Sequence, residues 1–237
     1  MDLLRIAARI SSVPLESGTR HKDKGNKFSL SEFKSLSSIR EMDDYANERL
    51  ERLGEGSSRR CYVLSGSKVL KISKRFRGIE TGGAGIAQNK AEVDVYTNPK
   101  TKTICAKIFD FDPEFRWVIS ELVRPITSHS EFESKMGVKT RDFFLIARLI
   151  ERNFSVDEIC REIIEVQSHD IDDRDKQHEQ NKDVAEILSN LKSLDLRYED
   201  LSPEQWGISA SGNIVLLDYG FTTGVYKEFY REQGTGT

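Results

Sequence analysis

The feature that most constrains this chain is a short apolar run near its C-terminus, Ile214-Val215-Leu216-Leu217, ending in Asp218-Tyr219-Gly220. The turn pair Gly212-Asn213 bounds it upstream, so it reads as a brief buried strand. Asp218 stands at the strand's end, where Tyr219-Gly220 turns the backbone away. A second carboxylate, Asp200, opens a loop containing Pro203 and Gly207, directly after a helical pattern. Two carboxylates and the Gln205 carboxamide on adjacent loops can hold a hard cation through oxygen, leaving one carboxylate to orient a hydroxyl. Such a set suits phosphoryl transfer, in which a protein mostly positions groups and offsets charge.

The upstream half is rich in strand signals. Gly54-Glu55-Gly56-Ser57-Ser58-Arg59 is followed by β-favouring residues, a Ser65-Gly66-Ser67 turn, and Val69-Leu70-Lys71-Ile72, a glycine-rich hairpin with a further strand. Glycines at such a tip let backbone N–H groups approach phosphate oxygens, although glycine pairs are also common in ordinary turns. Lys71 lies between apolar neighbours, as an inward-facing strand lysine does. After the connector Gly82-Gly83-Ala84-Gly85, residues 86–96 read as a short helix. Residues 103–110 and 116–121 read as two strands around an Asp112-Pro113 turn.

Helical spacing then takes over at Phe143, Ile146, Ala147 and Ile150, and again at Val156, Ile159, Cys160, Ile163 and Ile164. The second of these begins with a capping-box pattern, Ser155-x-x-Glu158. Residues 168–181 are polar and charged and read as an exposed loop, which makes His169 and His178 solvated loop histidines. Val184, Ile187, Leu188 and Leu191 mark one more helix, which delivers the chain to Asp200.

Taken together, these stretches resemble the protein kinase-like superfamily over about residues 53–221. Asp200-Leu201-Ser202-Pro203-Glu204-Gln205 is similar to the catalytic loop D-L-K-P-E-N. Asp218-Tyr219-Gly220 is similar to the metal-binding D-F-G, at the usual separation from Asp200, and Val69-Leu70-Lys71 is similar to V-A-I-K. The resemblance implies an α+β, two-lobed protein kinase-like fold with an antiparallel-sheet N-lobe and a reduced helical C-lobe. It divides the chain into an N-terminal arm (1–44), an N-lobe with hinge (45–124) and a truncated helical C-lobe (125–237). It implies ATP and Mg²⁺ as cofactors. Gly54, Gly56 and Ser57 would cover the nucleotide, Lys71 would contact the α- and β-phosphates, and Glu92, with Asp94 the weaker alternative, would fix the lysine. The hinge at Glu121 and Val123 would hold adenine, Asp218 and Gln205 would hold metal, and Asp200 would accept or orient the acceptor hydroxyl.

Several positions depart from the pattern. Arg59 stands at the third glycine position of the phosphate loop, where an arginine could itself contact phosphate. Ser202 replaces a lysine that steadies the γ-phosphate, Gln205 replaces an asparagine, and Glu199 replaces the arginine before the catalytic aspartate. The chain after Gly220 is too short for an activation segment and a peptide platform. Small kinase-like chains of phages and prophages are similar in Gly85-Ile86-Ala87-Gln88-Asn89 and Trp206-Gly207. The expected function is therefore an ATP/Mg²⁺-dependent phosphotransferase acting on a hydroxyl, with a protein as substrate. The alternative is a pseudokinase, a nucleotide-binding or interaction module that regulates a target. Nucleotidyl transfer with ATP inverted is a third reading.

Composition narrows the setting. A net charge of −3 with no basic run gives no reason to expect nucleic acid as a partner. No apolar segment approaches the roughly 20 residues of a membrane span. The pattern at Leu3, Ile6, Ala7 and Ile10 reads as a docking helix, interrupted by charges that make it a poor secretory signal. Residues 14–44 read as an extended or wrapping arm with a helix near 29–36, disorder being the close alternative. Cys61, Cys105 and Cys160 form no even framework, which favours a reducing cytoplasm, the host's if the chain is phage-encoded. Oligomeric state leaves no trace in the sequence.

Overall fold

Residues 27–75, 83–166, 174–196 and 201–231 are described by a computed structural model. Five strands form one antiparallel sheet in the order β1-β2-β3-β5-β4. They are β1 (Glu51–Glu55), β2 (Arg59–Ser65), β3 (Lys68–Ser73), β4 (Ile108–Phe111) and β5 (Trp117–Glu121). Side-chain alternation gives the sheet two different faces. Tyr62, Leu70, Ile72, Trp117 and Ile119 point to one face and pack under helices α1 (Leu30–Lys34) and α2 (Ile39–Arg49) through Phe33, Ile39, Met42, Tyr45 and Ala46. Leu53, Val63 and Val69 form a smaller cluster with Cys61 and Leu122. By the same alternation Lys71 shares the face of Val69, and Arg59 the face of Val63.

The helix expected near residues 29–36 is present as α1, and the described part of residues 14–44 is packed on the sheet. Helix α2 starts where Ser38 and Glu41 make a reciprocal capping box, each side chain bonded to the other's backbone N–H. Asp43 then accepts from Arg60 and from the Tyr62 hydroxyl (2.8 Å), tying α2 to β2. The amphipathic pattern at residues 3–10 and the first part of the arm lie outside the described residues.

Helix α3 (Ala84–Thr97) crosses between the sheet and the second lobe. The strand expected over 103–110 is confined to β4, because residues 101–104 form a turn and Cys105 instead bridges to Leu216. The second lobe contains α4 (His129–Met136), α5 (Thr140–Glu151), α6 (Val156–Val166), α7 (Arg174–Lys192) and α8 (Thr223–Phe229). A three-stranded sheet joins β6 (Arg124–Pro125), β7 (Trp206–Ile208) and β8 (Ile214–Leu216). Phe143, Ile146, Ala147, Ile150, Ile159, Ile163, Val184, Leu188 and Leu191 meet in one core, as their helical spacing requires. The Ser155–Glu158 capping box opens α6.

The exposed loop read over 168–181 is corrected from Arg174 onward, where α7 has already begun. Its first turns carry Lys, Gln and Glu, which are good helix formers without an apolar stripe, so periodicity could not reveal them. His178 accordingly sits in a helix, while His169 lies outside the described residues. The observed architecture is the expected α+β arrangement, an antiparallel-sheet lobe followed by a helical lobe. Among the described residues no helix is long and apolar enough to cross a membrane.

The turn between β4 and β5 is held by one buried carboxylate. Asp112 accepts from Arg116 Nε (2.7 Å) and Nη2 (2.9 Å) and from the N–H groups of Glu114 and Arg116. Arg116 Nη1 reaches on to the Ser37 carbonyl before α2 (2.7 Å). Burial pushes the Asp112 carboxyl up, and the bonds from Arg116 more than reverse this, leaving it below the ordinary carboxylate range. A depressed native pKa contributes stability above the ordinary value of about 4, and that stability is lost as pH falls through the native value. Asp112→Asn is expected to cost about 2 kcal/mol in urea unfolding at neutral pH, with a shallower stability loss below pH 4 than wild type. Equal acid slopes would show that Asp112 does not set the acid limit.

Candidate active site

Helix α3 is placed by polar contacts as well as by Ile86, Val95 and Tyr96, which pack on the two main cores. Gln88, Asn89 and Glu92 are all buried, and their spacing puts them on neighbouring parts of one helix face. Gln88 Oε1 accepts from Ser58 Oγ (2.9 Å). Asn89 Nδ2 donates to the Phe115 carbonyl (2.8 Å) and to Ser73 Oγ (3.1 Å). Phe115 holds a left-handed backbone (φ 56°), an uncommon state for a large side chain, and this presents its carbonyl to Asn89. Two glycines let α3 approach closely. A Cβ on Gly85 would stand 2.3 Å from the Ser58 carbonyl oxygen, and one on Gly220 would stand 2.4 Å from that of Gln88.

This placement brings Glu92 to Lys71. Lys71 Nζ lies 2.8 and 2.9 Å from the two Glu92 carboxylate oxygens and 3.3 Å from the Leu217 carbonyl, just before Asp218. A second cation shares the carboxylate. Arg59 Nη1 donates to Glu92 Oε1 (2.7 Å) and Asn89 Oδ1 (3.3 Å), and Nη2 donates to Asp218 Oδ1 (2.7 Å). Glu92 is wholly buried and Arg59 is 1% exposed, whereas the Asp218 side chain is 22% exposed, so the network meets solvent at Asp218. Burial alone would raise the Asp218 pKa, but the Arg59 guanidinium, with Lys71 behind it, holds it down at about 2. Burial opposes the Arg59 charge, and the Glu92 and Asp218 carboxylates more than compensate, raising its pKa above the ordinary arginine value. Beside them the Cys61 thiol is pushed up by burial despite Lys71 and Arg59, so it is no thiolate nucleophile at neutral pH.

The remaining expected residues fall into two groups. Gly54 lies on β1, and the Gly56 N–H closes the hairpin on the Arg59 carbonyl (2.9 Å). Ser57 is exposed at the tip, 3.3 Å from the Tyr230 hydroxyl, which also accepts from Gln88 Nε2 (3.1 Å). Glu121 turns its carboxylate to the N–H groups of Lys107 (3.4 Å) and Ala210 (3.2 Å), and Val123 is buried in the core of the helical lobe. Gln205 ends a short 3₁₀ turn (Pro203–Gln205), and its buried Oε1 has no hydrogen-bond partner. Asp200 lies outside the described residues. The sequence marks Arg59 only as a phosphate contact at a glycine position, and it gives no site reading for Gln88, Asn89 or Tyr230. Period-two alternation groups Arg59 with Cys61 and Val63, though only the β2–β3 register puts that face with Lys71, and the i, i+3, i+4 relation groups Gln88 and Asn89 with Glu92.

The donor set does not fit a divalent cation in this arrangement. The Asp218 carboxylate is already bonded to a guanidinium, and the described residues hold no group of three His, Cys, Asp or Glu suited to a metal. A doubly charged ion sharing that carboxylate, some 4–5 Å from the guanidinium, would be repelled by roughly 7 kcal/mol at an effective dielectric constant of about 20. Gln205 Oε1 is a single buried acceptor, short of the oxygen shell a hard cation needs.

No family model and no curated protein matches this sequence. Among solved structures, the streptomycin–ATP–APH(2")-IIa ternary complex is similar over 78% of this chain and 71% of that one, with 15% sequence identity and a TM-score of 0.35. The likeness is remote, and the geometry of the site itself carries the functional reading.

Removing Glu92 would leave Lys71 and Arg59 facing each other without their shared anion. Glu92→Ala is expected to cost about 3–5 kcal/mol in denaturant unfolding, the range for breaking a buried ion pair from one side. Gly220→Ala should also lower the melting temperature, since its methyl group meets the α3 backbone. A neutral result for both would mean that α3 is not held by this node.

Proposed function

We propose that the protein is a kinase-like phosphotransferase that binds ATP beneath the glycine-rich hairpin and passes its γ-phosphoryl group to a hydroxyl on a protein. The observation that carries this reading is the buried Lys71–Glu92 pair, held at the end of the strand that presents Asp218. A lysine fixed in this way is a charge poised for phosphate, and phosphoryl transfer asks a protein mainly for such positioning. In the step, the acceptor oxygen bonds the γ-phosphorus while the bond from that phosphorus to the β–γ bridging oxygen breaks. ADP leaves with the electron pair, and the acceptor's proton passes to a carboxylate, for which Asp200 is the candidate. Lys71 and Arg59 offset phosphate charge. The divalent ion implied by the kinase-like resemblance has no step here, because Arg59 already pairs with Oδ1 of Asp218.

A second reading, a pseudokinase that regulates a target without transfer, is favoured by the same Arg59–Asp218 bond. Mass spectrometry of the full chain with ATP and a cell lysate separates the two. Transfer requires a mass gain of one phosphate on a lysate protein or on the chain itself, lost in Asp200→Ala and in Lys71→Met. A nucleotide-sized gain would indicate nucleotidyl transfer. ATP-dependent stabilisation with no mass change anywhere would put the regulatory reading first.

A further inference from the structure

We propose that Arg59 is the resident cation of this site, taking at Asp218 the place of a divalent metal, so that the site receives the polyphosphate of a nucleotide without a metal ion. The proposal rests on the reading of the cleft as a nucleotide site and specifies how that site handles charge.

Arg59 is built in rather than folded over from the surface. It begins β2, pairs with Ser73 of β3, and lies on the face that carries Lys71, which pairs with Cys61 two residues along β2. Its guanidinium is fixed at three points, Glu92, Asp218 and Asn89. The last partner is itself oriented, because the Asn89 amide nitrogen is bonded to Phe115 and Ser73, which aims the amide oxygen at the arginine. The charges close without an ion, since Arg59 and Lys71 face Glu92 and Asp218. One donor is left over: Arg59 Nε is buried and has no hydrogen-bond partner among the described residues. A buried N–H without an acceptor is costly, and an anionic phosphate oxygen is the kind of group that would satisfy it. Arginine suits this duty because it stays charged when buried and offers several donors in a rigid plane.

The test is calorimetric titration of ATP into the full chain, once in excess EDTA and once in excess Mg²⁺, with bound Mn²⁺ followed separately by electron paramagnetic resonance. Wild type is expected to bind ATP in EDTA at least as tightly as in Mg²⁺, and to retain no Mn²⁺ in its ATP complex. Arg59→Met should weaken binding in EDTA about tenfold to a hundredfold, the scale of a charge-assisted hydrogen bond. It should regain affinity with Mg²⁺ and show bound Mn²⁺, while Arg59→Lys should keep part of the metal-free affinity. Wild-type binding that requires Mg²⁺, or an ATP complex that retains Mn²⁺, would overturn the proposal and leave the nucleotide reading standing. No ATP binding under either condition would overturn both. Should Arg59→Met fail to fold, the two wild-type titrations decide the matter by themselves.

Discussion

Everything around the cleft depends on one fully buried carboxylate, Glu92. An ion with no access to water must be met by opposite charge and hydrogen bonds, or its desolvation exceeds any gain from folding around it. Here the partners come from three places in the sequence. Lys71 arrives on β3, Arg59 on β2, and Arg59 carries the link onward to Asp218 at the end of β8. Sheet, helix and second lobe therefore share one polar node. Such a node contributes little net stability compared with an apolar plug of equal volume, but few other arrangements of these elements would satisfy it.

The same node explains an unusual helix. Helix α3 lacks a single apolar stripe, and beside Val95 and Ile86 it sets Gln88, Asn89 and Glu92 against Ser58, Ser73, Phe115 and the two cations. Apolar docking tolerates sliding by a fraction of a turn, whereas hydrogen bonds and close glycine contacts do not. Gly85 and Gly220 remove the side chains that would keep α3 away, so its position is set by backbone contact on both sides. Whatever changes the charge balance at Asp218 is felt directly by Arg59 and, through Glu92 and Asn89, by this helix.

Much of this was legible from sequence, for physical reasons that also mark the limits. The β-rich half, the helical half and their order follow from periodicity, which is strong where one face is buried, as at Phe143, Ile146, Ala147 and Ile150. Periodicity was silent over the start of α7, because a run of Lys, Gln and Glu carries no apolar stripe. It also could not explain α3, whose buried residues mix Gln88, Asn89 and Glu92 with Val93 and Val95. Lys71, Glu92 and Asp218 stood out because each sits at an expected position in a motif, and the structure brings the first two into contact and the third within one residue of the Lys71 ammonium's carbonyl partner. Arg59 was visible only as an exception to a glycine pattern. Its true neighbourhood depends on strand register and on an inward rotamer, neither of which a motif encodes.

The solvent side of the node has its own logic. The hairpin tip, α3 and the chain after Asp218 converge on one hydroxyl, since Tyr230 bonds both Ser57 and Gln88 while its ring packs against Phe221 at 5.0 Å between centroids. Contact between Ser57 and Tyr230 joins the hairpin tip to the chain after Asp218. Both groups there are neutral hydroxyls, easily replaced by water, whereas the interior is held by ions that are not. Under the proposed nucleotide reading, an entering polyphosphate would meet the weakest contacts first and the fixed charges last. That order of contacts follows from the place of Arg59, the single buried arginine among the described residues.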